Sequence, residues 1–194
     1  VLATTIHEVA DDKPIEVISV AVPGVTKGNV VKWCTNLPWN DFTLSEHLQR
    51  RLGCPVFIEN DANLAGLAET RALPKRVDNS LYVTISTGIG MGLIIDHQIH
   101  PALTVTEPEH MLLEYDGRLR EWGSFASGRS IYQTYGKYAR DIKSVAIWKQ
   151  IADKISRGFL VLIPTLAPDV IIIGGSIGTY FDRYEQHLQH LLQK

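Results

Sequence analysis

Four short stretches hold residues whose types and spacing could do chemistry. Ser86-Thr87-Gly88-Ile89-Gly90-Met91-Gly92 sets three glycines at alternate positions between two apolar runs. That spacing lets a backbone bend tightly and bring its N–H groups to an anion, and Ser86 and Thr87 add hydroxyls. It is neither a Walker A loop nor a dinucleotide fingerprint, because no Lys follows and no helix opens after it. The plainer alternative is a glycine-rich β-hairpin. Glu59-Asn60-Asp61-Ala62-Asn63 lies where a strand ends and a helix starts, the place where ligands gather in open α/β sheets. A partly desolvated Asp there can act as a general base toward a hydroxyl. The alternative is that Asn60 or Asp61 only caps the helix.

Glu107-Pro108-Glu109-His110 is the third stretch. Its acids and His invite a metal reading, but no Cys or second His stands nearby at a ligand spacing, so no structural zinc is expected. A lone loop His is more often solvated or hydrogen-bonded than a ligand. The fourth is Ile171-Ile172-Ile173-Gly174-Gly175-Ser176, a strand running into two glycines and a helix. That geometry lets a nucleotide approach the backbone, or it is a simple strand–helix turn. Cys34 and Cys54 have no His–Asp context and read as packing residues.

These stretches need elements to hold them, and the pattern reads as mixed α/β. Apolar β-branched runs predict strands over 16–22, 28–34, 55–58, 81–86, 93–95 and 169–173. Helices are expected over 41–52, with Gly53 just past the end, over 62–72, 121–135 and 144–166, and from Gly175 to the C-terminus. Residues 74–79 read as a connector, and 97–120 lack a clean period and read as loop.

Composition excludes other classes. The 194 residues carry 19 Lys and Arg against 21 Asp and Glu, a net charge of −2, without the clustered bases of a nucleic-acid surface. No apolar run approaches the roughly 20 residues that span a bilayer, and the first residues lack the basic start and apolar core of a signal peptide. Two Cys point to reduced thiols and a cytoplasmic protein.

The order of the motifs is more specific than any one of them: VAVPG, NLPW, ENDANLAGLAE, TGIGMGLIID, EPEHM, FASGR, PDVIIIGG. In that order the sequence resembles the ROK family (repressors, open reading frames, kinases) of the actin-like ATPase superfamily. The resemblance implies an α/β, two-lobed fold of ribonuclease-H-like sheets, with residues 1–75 the remainder of the N-terminal lobe and 76–194 the C-terminal lobe. It also implies transfer of the terminal phosphoryl of ATP, with Mg²⁺, to a hexose hydroxyl. Asp61 would be the base; Asn60, Glu107 and His110 would hold the sugar. Thr87, Gly88 and Gly90 would approach the nucleotide phosphates, and Gly174 and Gly175 would line the adenosine side. A homodimer is a family expectation, with no membrane or nucleic-acid partner for this chain.

The sequence departs from the family in several places. The family's acidic D-x-G-G-T phosphate loop and its last helix are absent, so a fold partial at both termini is expected. The sugar loop, G-E-x-G-H in the family, reads Thr106-Glu107-Pro108-Glu109-His110. The family's zinc-binding Cys cluster gives way to YDGRLREW. Gly123 stands where the family carries a Glu, with Glu121 nearby. The competing readings are the sugar-sensing domain of a ROK repressor and a catalytically silent member.

Overall fold

In the computed structural model, which describes residues 2–11, 13–34 and 37–193, Asn36 of the NLPW stretch lies outside the described residues. A first helix, α1 (Leu2–Ala10), has no fully buried residue. It is followed by β1 (Ile18–Val22), β2 (Val25–Lys27), β3 (Val30–Trp33), β4 (Asn40–Phe42), α2 (Leu44–Leu52) and β5 (Val56–Asn60). β1 and β5 pair in parallel with Val22 opposite Asn60, so both strands end at one edge. Parallel neighbours need a crossover connection, supplied here by the β2–β3–β4 meander and α2. Val22, Val31, Leu44, Leu48, Val56 and Ile58 close over one apolar core. The helix expected over 41–52 begins only at Leu44, because residues 40–42 pair with β3 (Trp33 with Asn40, Val31 with Phe42). Gly53 ends it in the left-handed conformation, φ +70°, as expected of a glycine just past a helix.

The chain then forms α3 (Asp61–Ala72) and the long hairpin β6 (Asn79–Ile85) and β7 (Ile89–Ile95), extended by β8 (Gln98–Ile99). Ile85 faces Ile89 across the hairpin, so its turn is only Ser86, Thr87 and Gly88. Gly90 and Gly92 lie within β7, not in a turn. The stretch 97–120 is not all loop. It holds two short 3₁₀ turns and the hairpin β9 (Leu112–Tyr115) and β10 (Arg118–Glu121). The single helix expected over 121–135 is two, α4 (Gly123–Ala126) and α5 (Gly128–Tyr135). They break at Ser127, whose extended backbone and hydroxyl cap α5 by accepting from the Ser130 amide at 3.2 Å.

Finally come α6 (Val145–Leu166), β11 (Val170–Gly174), α7 (Gly175–Gly178) and α8 (Glu185–Leu192), with β11 parallel to β6. Leu81, Val83 and Ile85 of β6 pack with Trp122, Phe125, Trp148 and Phe159 in a second core. α3 lies directly on the β6–β7 hairpin: a Cβ on Gly92 would stand 2.8 Å from the carbonyl of Ala62. The glycine at 92 lets the first turn of α3, which carries Asp61, lie close on this hairpin. No helix among the described residues is long and apolar enough to cross a membrane.

Candidate active site

The site begins at the edge where β1 and β5 end. Asn60 keeps an extended backbone (φ −62°, ψ 140°) and caps α3, its Oδ1 accepting from the Asn63 amide at 3.0 Å. Its Nδ2 donates to the Gly24 carbonyl at 2.9 Å. The capping alternative therefore holds for Asn60, and one Nδ2 hydrogen remains for a ligand. Asp61 is the first residue of α3. It is exposed, not partly desolvated, and its Oδ1 accepts from the Ala62 amide at 2.9 Å. Glu59, which the sequence reading did not single out, ties this corner together. Its Oε1 accepts from Asn63 Nδ2 at 3.0 Å, from the Asn60 amide at 2.8 Å and from Thr26 Oγ1 at 3.4 Å.

Across from Asp61 lies the turn between β6 and β7. A cavity of about 310 Å³ is lined by Asn60, Asp61, Thr87, Gly88, Gly90 and Glu107, among others. Six of the nine residues proposed from sequence therefore line one cavity. Burial pushes the Glu107 carboxyl above its ordinary range. His110 pulls it back, while the Glu109 and Asp61 carboxylates push it further up.

His110 does not line that cavity. Its Nδ1 stands 3.3 Å from Glu121 Oε1, and its ring centroid lies 6.2 Å from that of Trp33. Glu109 does line it, and its Oε2 accepts the amide hydrogen of Ile89 at 2.8 Å. No sequence signal marked this contact beyond an acid where a glycine was expected.

A second, larger cavity of about 650 Å³ adjoins the first and shares Ser86, Thr87 and Arg129 with it. Its walls include Tyr132, Tyr138 and Tyr180, with Arg129 and Arg140 as cations. Gly174 and Gly175 do not line it. Gly174 packs under the Tyr82 hydroxyl, and a Cβ on Gly175 (φ +79°) would stand 2.6 Å from the Ile85 carbonyl. Their service is to let Ser176 and Ile177 form the wall, with the Ser176 amide donating to Ser86 Oγ at 3.0 Å. Arg129, the arginine of FASGR, for which the sequence alone suggests no role, enters into no ion pair among the described residues and borders both cavities. Together the cavities offer a carboxylate beside one space, backbone amides between, and a cation next to an aromatic-walled second space. That arrangement suits alignment of a hydroxyl with a phosphoryl donor.

The family model described as "ROK family" matches residues 1–194. The chain is 31% identical over 153 residues to a fructokinase of Pediococcus pentosaceus, covering 72% of this chain and 52% of that protein. It is 32% identical over 132 residues to the xylose repressor of Bacillus subtilis (strain 168), covering 66% of this chain and 33% of the repressor. The chain thus spans about half the length of the kinase and a third of the repressor. Among solved structures, an inorganic polyphosphate/ATP-glucomannokinase from Arthrobacter sp. strain KM superposes with a TM-score of 0.75 at 27% identity. That match covers 96% of this chain and 70% of the other. The architecture is the actin-like ATPase fold of ROK sugar kinases.

Proposed function

The chain belongs to the ROK family, and from that premise we propose that it is the sugar-binding and catalytic part of a kinase that phosphorylates a hexose. The observation that carries this reading is the shared cavity, in which Asp61 at the head of α3 faces the Thr87–Gly88 turn. In this reading residues 1–75 and 76–194 belong to the two lobes of the fold, with α3 packed across onto the second sheet.

Asp61 accepts the proton of the sugar hydroxyl as its oxygen bonds to the terminal phosphorus. The bond from that phosphorus to the departing diphosphate breaks, releasing ADP. Such transfer depends mainly on alignment and charge neutralisation. Asn60, through its remaining Nδ2 hydrogen, and Glu107 hold neighbouring sugar hydroxyls. His110 steadies the loop that carries Glu107, through Glu121. Thr87, Gly88 and Gly90 border the transferred group, and Arg129 offsets its charge. Gly174 and Gly175 act indirectly, by seating Ser176 and Ile177 against the nucleotide.

The larger cavity fits ATP in size and in its tyrosines and arginines, and ATP would supply the phosphoryl group. Among the described residues no three His, Cys, Asp or Glu side chains converge as a metal site. Mg²⁺ is usually held by one or two carboxylates together with substrate phosphates, so a carboxylate-lined cavity fits an ion arriving on the nucleotide. We place the protein in the cytoplasm, with sugar and ATP as its small-molecule partners, a second copy of the chain as its protein partner, and no membrane or nucleic acid bound by this chain.

A second reading, a sugar sensor of the repressor branch, is favoured by one contact: Glu109 already occupies the Ile89 amide of the turn. Titration of the chain with a panel of hexoses, alongside hexose-dependent ADP release, separates the two. Release of ADP supports the kinase, and hexose binding without release supports the sensor.

A further inference from the structure

The carboxylate of Glu109 sits in a slot shaped for it. Its Oε2 accepts the Ile89 amide hydrogen at 2.8 Å. A Cβ on Gly88 would collide with that same oxygen. On the other side, a Cβ on Gly123 would stand 3.0 Å from Glu109 Cβ and 3.3 Å from Oε2. Two glycines and one N–H thus receive one carboxylate, at the turn between the sugar-side and nucleotide-side cavities.

An N–H that already donates to an internal carboxylate is not free for a phosphate oxygen, and the two anions repel at contact distance. Next to the slot lies a further cavity of about 210 Å³ whose lining includes Glu109, Ser127, Arg129, Ser130 and Gln133, and also Glu121, whose carboxylate faces His110 at 3.3 Å. It offers the carboxylate a second seat beside a guanidinium.

We propose that Glu109 is an internal anion that decides what the glycine turn can bind: a phosphoryl donor engages the Ile89 amide only when the carboxylate leaves it for the cavity beside Arg129. Glu109 is thus a specificity-determining residue for the donor. It rests on the reading of this turn as the phosphate side of the site, and it sets the affinity for polyanions independently of whether transfer follows.

The test is calorimetric titration of the 194-residue chain with Mg²⁺-ATP and, as a probe of charge alone, inorganic tripolyphosphate. Wild type is compared with Glu109→Ala, Glu109→Gln and Gly123→Ala, each checked for folding by its thermal melt. A charge-assisted hydrogen bond must be broken in the wild type, so Glu109→Ala is expected to bind both probes about tenfold or more tightly. Glu109→Gln falls between, because it keeps an acceptor and loses the charge. Gly123→Ala pushes Glu109 off its seat and tightens binding as well. Equal affinity of wild type and a folded Glu109→Ala for both probes overturns the proposal, whether that affinity is high or undetectable. Tighter donor binding in Glu109→Ala without any turnover sustains it and defeats the kinase reading. Hexose-dependent turnover with unchanged donor affinity does the reverse.

Discussion

The imidazole of His110 stands 3.3 Å from the carboxylate of Glu121, joining the loop that carries Glu107 to the end of β10. In sequence, Glu121 is only an acid near Gly123, where the family carries a Glu. In the structure its partner is the histidine expected to touch sugar. Both side chains are about half exposed, so the pair holds a loop in place more than it stabilises the fold. Glu121→Gln should lower the unfolding free energy by less than about 1 kcal/mol, measured by denaturant titration, while weakening hexose binding through a looser loop. Unchanged hexose affinity would remove the pair from the site.

Glu107 carries a pH prediction. Burial raises its carboxyl above the ordinary value of 4.5, so the folded chain binds this proton more tightly than the unfolded chain. Stability from this group is therefore greatest below the unfolded value and falls as pH rises through the window between the unfolded and the raised folded pKa. Glu107→Gln should remove that slope, so the variant gains on wild type as pH rises from about 4 toward neutrality. Parallel stability curves for the two proteins across that range would contradict the burial.

Lys154 on α6 is buried, its Nζ 5.2 Å from the Tyr135 ring centroid and 5.9 Å from that of Tyr115. Burial lowers its pKa and Arg120 adds to the lowering, while Asp116 opposes it. The unfolded chain then holds this proton more tightly, and stability should rise with pH through the window between the lowered value and 10.5. Lys154→Met keeps the apolar stem and removes the charge. It should raise the unfolding free energy by about 1 kcal/mol near neutral pH, read from thermal or denaturant unfolding. A marked loss would mean that the cation over two tyrosines outweighs its desolvation.

The legible parts of the fold had strong local signals. Val56 and Ile58 alternate with exposed Phe57 before Asn60, and the apolar, half-buried run of β11 ends in two glycines. The corner at Asp61 was visible for that reason, as was the turn at Thr87. The hairpin at 112–121 was missed because its strands are four residues each, with Leu112 and Leu119 65% and 72% exposed, so no buried alternation marks them. A signal was present nonetheless: Asp116-Gly117, both at positive φ (54° and 71°), is a strong turn pair for a two-residue hairpin. The break at Ser127 also had a signature, a capping Ser ahead of Gly-Arg-Ser. The seat of Glu109 had none, because it depends on two glycines 35 residues apart, Gly88 and Gly123, meeting in space around one carboxylate.

The most direct test of the account is to compare the wild-type chain with Asp61→Asn in two measurements, calorimetric binding of a hexose panel and hexose-dependent ADP release from Mg²⁺-ATP. A positioned base contributes roughly 10²- to 10⁴-fold, so the variant should bind the same hexose with similar affinity and lose turnover by about that factor. Equal turnover by Asp61→Asn and wild type would contradict the account.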